Sequence, residues 1–184
     1  MKTKHVKDKK GRQIAISMLT RKDMKALASF SAYHEGLSKE ELFLLSQKAP
    51  SKAQIRRYLA KQLRGQRQHT RFLLIARHGE EIAGMCSVWL RKGRASHVAK
   101  LRVSVAKEYR NAGIGKHLLA TSIELAPVFL RPSPKQLRLS VFSGNRKAKM
   151  LYRKLGFKKV ASIPAQFKYK GKYYGEEVMV RKLE

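Results

Sequence analysis

The run Arg110-Asn111-Ala112-Gly113-Ile114-Gly115-Lys116 has the residue types that cradle a phosphate. It follows the alternating strand-like stretch Leu101, Val103, Val105 and precedes an apolar-periodic stretch that starts at Ile114, so it marks a strand-to-helix junction. The first amides of a helix have no intrahelical acceptor and carry the positive end of the helix dipole. Glycines at 113 and 115 remove side chains where a pyrophosphate would approach those amides. Two nucleotide motifs do not fit. A P-loop needs glycine where Arg110 stands and Ser or Thr where His117 stands, and the dinucleotide fingerprint needs a third glycine where Leu118 stands. Taken alone, the loop is as consistent with a structural tight turn as with a phosphate site.

The elements that must position the loop can be read from periodicity and punctuation. Arg12 to Leu19 alternates as a first strand. Thr20 caps a helix from Arg21 to about Tyr33. Ser38 and Glu41 form a capping box for a second piece, Pro50 breaks it, and Ser51 starts a helix with Ile55, Tyr58, Leu59 and Leu63 on one face. Phe72 to Arg77 and Ile82 to Leu90 are strands joined by the turn His78-Gly79-Glu80-Glu81. His97 to Val105 is the strand before the loop. Ile114 to Ala126 is the helix after it, ended by Pro127. Gln136 to Phe142 is a strand, Asn145 to Leu155 a helix with Gly156 as its left-handed cap, and Lys158 to Tyr169 and Lys172 to Arg181 are strands joined at Lys170-Gly171. This order gives an α/β (α+β) class and one twisted, mixed sheet flanked by helices.

Length and composition bound the rest. The chain has 184 residues, enough for one domain that buries roughly 70% of its unfolded surface. Met1 to Arg12 is lysine-rich and reads as a loose basic arm (residues 1–11) ahead of a domain spanning 12–184. No stretch approaches the roughly 20 apolar residues that a membrane span needs. A single cysteine, Cys86, excludes an intrachain disulfide and a cysteine-based zinc cluster, so no metal is expected and a reducing cytoplasm is the expected location. Lys and Arg total 42 against 12 acids, a net +30, with no acid between Glu41 and Glu80 or between Glu124 and Glu176. That charge favours electrostatic binding of RNA or an acidic protein, unless it is a solvated basic surface. Homodimer formation is left open.

Two stretches carry a family resemblance. Val103 to Gly115 closely resembles the acetyl-CoA motif of the GCN5-related N-acetyltransferases (GNAT): a basic residue or glutamine, two variable residues, Gly, one variable residue, then Gly or Ala. Asn145-Arg146-Lys147-Ala148-Lys149-Met150-Leu151-Tyr152-Arg153-Lys154-Leu155-Gly156-Phe157 resembles the family's second signature. The resemblance covers essentially residues 12 to 183 and implies a GNAT-like fold with a mostly antiparallel sheet. It implies an acyltransferase that moves the acetyl group of acetyl-CoA to an amine, by direct attack in a ternary complex. Val103, Ser104 and Val105 fall where the pantetheine arm pairs with a splayed strand, and Arg110, Asn111, Ala112, Gly113, Ile114, Gly115 and Lys116 fall on the pyrophosphate loop. Asn145 matches the pantetheine-contacting asparagine, and Tyr152 matches the tyrosine beside the sulfur. Asn145 and Tyr152 lie seven residues apart, two helical turns, and so share a face. A tyrosine there can protonate the departing thiolate as a general acid.

The acceptor half is marked poorly. An amine nucleophile must be neutral, so a proton acceptor or ordered water is needed. The family's usual glutamate position holds Ser140, and the acid that a related subgroup carries after His-Val is replaced by Ala99 and Lys100. Glu40, Glu41, Glu176, Glu177 and His97 remain as weaker candidates. Cys86, inside an apolar strand, reads as a core thiol and not as a nucleophile. The acceptor amine is not specified by the sequence. A second reading is a basic nucleic-acid- or ribosome-associated protein on this fold, with acetylation secondary or absent.

Overall fold

A computed structural model describes residues 1–39, 48–169 and 171–183. Eight strands form one mixed sheet with spatial order β1-β2-β3-β4-β5-β6-β8-β7. They are β1 (Lys4–Lys7), β2 (Gln13–Met18), β3 (Arg71–His78), β4 (Glu81–Leu90), β5 (Val98–Val105), β6 (Gln136–Phe142), β7 (Lys158–Tyr169) and β8 (Lys172–Lys182). The described helices are α1 (Leu27–Lys39), α2 (Lys52–Arg67), α3 (Ile114–Phe129) and α4 (Arg146–Lys154). Among the described residues, β5 and β6 pair in parallel and the other neighbouring strands pair antiparallel.

The sheet divides the core into two layers because β3 and β4 bury both faces. Leu73, Ile75 and Met85 pack under α1 and α2 with Phe30, Tyr33, Ile55 and Leu59. Phe72, Leu74, Cys86 and Val88 pack on the other face with Leu118 and Leu119 of α3, and with Tyr152 and Phe157 from the α4 region. Ser51 caps α2 as expected. Its side chain accepts from the Gln54 amide, and the Gln54 side chain accepts from the Ser51 amide. Gly156, at φ +81°, follows α4 in the left-handed conformation.

Four local expectations change. The N-terminal arm is not loose, because Lys4–Lys7 forms an edge strand on β2 and the sheet starts ahead of residue 12. The Asp8 carboxylate closes this hairpin, accepting from the Lys10 and Arg12 amides and from Arg12 Nε at 2.7 Å. After Thr20, a 3-10 turn (Arg21–Lys25) precedes α1, and the Asp23 carboxylate accepts from the Thr20 amide and hydroxyl. Ser38 is not a cap. It lies in the last turn of α1, where its hydroxyl donates to the Glu35 carbonyl, because buried Tyr33 and Leu37 carry the apolar face one turn further. Glu41, its expected partner, lies outside the described residues. Finally, α3 runs past Pro127 to Phe129. Proline removes one amide there, but the Leu130 amide still donates to the Ala126 carbonyl at 3.1 Å.

Candidate active site

The site begins where two strands part. β5 and β6 pair only at Val98–Gln136, Ala99–Leu137 and Lys100–Arg138. Beyond that rung, no further β5–β6 register pair follows among the described residues. On its other side β5 stays paired to β4 through Val105, opposite Gly84. The Ala106 amide donates to the Ala83 carbonyl at 3.0 Å, which makes Gly84 and Val105 a non-hydrogen-bonded pair. The N–H and C=O of Val105, and by the two-residue period those of Val103, therefore point into the split. The result is a strand edge that β6 does not pair, able to accept an extended ligand as an added strand.

The glycine loop closes the open end of the split. Ala106 leads into a 3-10 turn (Lys107–Tyr109), and Asn111 and Gly113 then take positive φ values of +59° and +89°. Gly113 is the N-cap of α3, and a side chain there would be strained in that conformation. Gly115 is different. A Cβ at this position would sit 3.6 Å from Val105 and 3.7 Å from Leu151, in open contact with both. The loop, the end of β5 and α4 thus meet at Gly115. The first-turn amides of α3, at Ile114, Gly115 and Lys116, have no acceptor within the helix.

Side chains around the loop have distinct tasks. Arg110 folds back, donating Nε and Nη2 to the Val105 carbonyl at 3.1 Å each. It thus anchors the loop to the strand end. Residues Asp8 to Arg12 brace the loop from outside. The Lys9 amide donates to the Ala112 carbonyl at 3.0 Å, and the Arg12 guanidinium sits 4.2 Å over the Tyr109 ring. This brace was not read from the sequence. Its one signal was Asp8, an acid inside a basic run, four residues ahead of Arg12.

Val103 and Val105 pack towards α3. Ser104 faces the opposite layer, where its hydroxyl shares a 2.8 Å hydrogen bond with the Tyr33 hydroxyl. With its backbone groups turned towards β4 as well, Ser104 offers no polar group to the split, unlike its expected place in the cofactor site. Asn145 caps α4, its side-chain oxygen accepting from the Ala148 amide at 3.1 Å, and this leaves its NH2 free of the cap. Tyr152 is buried against Phe157, with ring centroids 6.1 Å apart. Burial, and then the proximity of Cys86, push its hydroxyl up to about 12. Cys86 is fully buried and accepts from the Ser122 hydroxyl at 3.1 Å. Burial pushes its thiol up to about 12, which fits the inert core role.

The weaker acid candidates separate. Glu177 lies under α4, where Lys149 Nζ donates to it at 2.7 Å, so it is committed to a buried ion pair. Glu176 is half-buried on the opposite face, opposite Phe142 of β6 and Ile163 of β7. His97 is exposed just before β5, at the closed end of the split and far from the loop. Glu40 and Glu41 lie outside the described residues. A cavity of about 550 Å³ opens beyond the loop end of β5, between Tyr33 and Gly36 of α1, Glu80, Glu81, Glu108 and Tyr109. Tyr109 donates there to the Glu81 carboxylate at 2.6 Å. Among the described residues, no group of His, Cys, Asp or Glu is gathered in a way that could hold a metal, and no helix is long and apolar enough to cross a membrane.

Comparison with known proteins places this geometry. A family model described as an acetyltransferase (GNAT) domain matches residues 68–159, which span β3 to the start of β7 and contain the split, the glycine loop and α4. Solved structures share the fold over nearly the whole chain. A GNAT-family acetyltransferase from Streptococcus pneumoniae superposes with a TM-score of 0.79 at 24% identity, covering 93% of this chain and 99% of its own. A ribosomal-protein-alanine N-acetyltransferase from Brucella melitensis superposes at 0.75 and 23% identity, covering 91% and 99%. A GNAT phosphinothricin acetyltransferase from Sinorhizobium meliloti, solved in complex with acetyl-CoA, superposes at 0.73 and 17% identity, covering 92% and 88%. No curated protein matches the sequence significantly. With half its length matched by the family model, and with the split strand and glycine loop inside the matched half, the chain belongs to the GNAT family of acetyltransferases.

Proposed function

We propose that this protein transfers the acetyl group of acetyl-CoA to a primary amine, with both substrates bound together. The observation that carries the reading is the strand edge left open between β5 and β6 beside the first-turn amides of α3. In this reading the backbone of Val103 pairs with the pantetheine arm, Val105 offers its amide at the end of the edge, and Asn145 offers its NH2 from the neighbouring wall. The amides from Gly113 to Lys116 take the pyrophosphate, with Gly115 allowing the close approach.

Acetyl-CoA supplies an activated thioester. The protein's part is to orient and polarise it. The Val105 amide, aimed into the split, is the donor proposed for the carbonyl oxygen. Tyr152 keeps its proton at Oη and donates it to the sulfur as the C–S bond breaks, and the proton lost by the acylated nitrogen, passed through water, restores the phenol. Burial that penalises a phenolate there penalises a thiolate too, so donor and leaving group stay matched. Amine-dependent release of free CoA thiol, measured over a panel of amines, tests the reading. Release that requires both substrates is expected. Absence of release with every amine, together with absence of acetyl-CoA binding, would contradict it.

A further inference from the structure

The face of the sheet on the Tyr33 side holds a row of cations at the closed end of the split. Lys100 of β5 and Arg138 of β6 are register partners in the last paired rung before the strands separate. Both alternate with residues buried towards α3, Ala99 and Leu101 on β5 and Leu137 and Leu139 on β6. They therefore share the face of Ser104, whose hydroxyl meets Tyr33. Arg102, next on that face, lies beside Tyr58 of α2 and is exposed. Like charges side by side on adjacent strands repel. No carboxylate among the described residues forms an ion pair with Lys100 or Arg138, and Arg138 Nε is closed off from solvent without a hydrogen-bond partner. The acids Glu80, Glu81 and Glu108 line the cavity beyond the other end of β5, roughly 16 Å of strand away at about 3.3 Å per residue. Glu176, on the same face opposite Phe142, stands four residues, roughly 13 Å of strand, from the Arg138 rung, and none of these acids forms an ion pair with Lys100 or Arg138. A buried, unsatisfied guanidinium nitrogen beside a second cation calls for an anion.

We propose that Lys100 and Arg138 bind an anionic group on the acceptor, a carboxylate or a phosphate, and so select amines that carry one. The inference rests on the acetyltransferase reading and names the substrate class of its acceptor side. Lys100 stands five residues, roughly 16 Å of strand, from Val105, so an acceptor that spans this stretch of β5 can place its anionic group at Lys100 and Arg138 and its amine at the thioester.

The test compares matched acceptors by CoA thiol release. Phosphoethanolamine is set against ethanolamine, and an acidic pentapeptide against a basic one. Acetyl-CoA binding to each variant is measured separately by calorimetry. The wild type should favour the anionic member of at least one pair by about 10-fold or more in kcat/KM. The pair that shows it tells a small phosphorylated amine from an acidic polypeptide. Lys100→Gln and Arg138→Gln should each raise KM for the anionic acceptor and bring the ratio towards one, with acetyl-CoA affinity unchanged. Lys100→Glu should turn the preference towards the cationic acceptor. Lys22→Gln, an exposed cation at the start of the chain's first 3-10 turn, should change nothing, which separates a local site from the general +30 charge. Equal use of both members of each pair, or an unchanged ratio in the Lys100 and Arg138 variants, overturns this inference while acetyl-CoA binding stands. Failure of the wild type to bind acetyl-CoA overturns the underlying reading and this one with it.

Discussion

Ala106 donates its amide to the Ala83 carbonyl at 3.0 Å, and this bond fixes the direction in which Val105 faces. It sets the phase of the β4–β5 ladder so that the odd-numbered residues of β5 turn their backbone groups away from β4. β6 has already diverged by then. The sheet thus keeps an edge within it that no neighbouring strand pairs, an arrangement that sheets otherwise avoid or cover. The glycine loop, the α4 face and the row of cations are all arranged around that edge.

The two loop glycines should respond differently to alanine. Gly113 is at φ +89°, so Gly113→Ala should cost about 1–2 kcal/mol of stability. Gly115 is helical with room for a methyl group, so Gly115→Ala should leave stability unchanged or raise it by up to about 1 kcal/mol. Both should weaken acetyl-CoA. Urea denaturation paired with calorimetry separates the effects, and a Gly115→Ala variant that binds as tightly as the wild type would argue against close approach at that position.

Tyr152→Phe removes one oxygen and keeps the packing against Phe157. We expect kcat to fall about 10²-fold, the low end for loss of a general acid, with KM for acetyl-CoA nearly unchanged. Steady-state kinetics with saturating amine reads this. An unchanged kcat would reduce Tyr152 to a core residue.

Asn145 has two separable roles. Asn145→Ala should cost about 1 kcal/mol through loss of the α4 cap and also weaken acetyl-CoA. Asn145→Asp retains the oxygen that accepts from the Ala148 amide but loses the NH2. It should keep the wild-type thermal midpoint while binding acetyl-CoA more weakly. Wild-type affinity in Asn145→Asp would mean the residue only caps the helix.

High pH should loosen the fold in a defined window. Burial raises Tyr152 from 10 and Cys86 from 9 to about 12 in the folded protein. The unfolded chain loses these protons first, so it binds fewer protons than the folded one above about pH 9. Stability is full below pH 9 and declines as pH rises from there through 12. Urea midpoints recorded from pH 7 to 11 should fall above pH 9, and the fall should shrink in Cys86→Ala. A flat profile would contradict the burial of both groups.

The elements that carry the proposed donor side were legible because their signals are local. Gly113 and Gly115 at a strand-to-helix junction, and Asn145 seven residues before Tyr152, can be read along one stretch of chain. The strand boundaries of β6 and β8 were legible for the same reason, through alternation and flanking turns. What escaped depends on pairing between distant segments. Nothing in the periodicity around Lys100 or Arg138 says that they are neighbours, since that follows from a parallel rung between residues 38 positions apart. Lys4–Lys7 carries too few apolar residues to announce a strand, and it is held by β2 and by the Asp8–Arg12 pair. Ser38 looked like a cap because capping residues are equally tolerated near a helix end, where a hydroxyl can bond back to the preceding turn.

The split and the glycine loop are proposed to hold acetyl-CoA. Calorimetric titration of the wild type and of Gly115→Glu tests it most directly, with circular dichroism to show that both are folded. Saturable one-to-one binding to the wild type and none to Gly115→Glu is expected, since Gly115 lies in the first turn of α3 beside Val105 and Leu151 and an acid there repels a pyrophosphate. No heat of binding from the wild type at millimolar ligand, or equal binding by a folded Gly115→Glu, would contradict it.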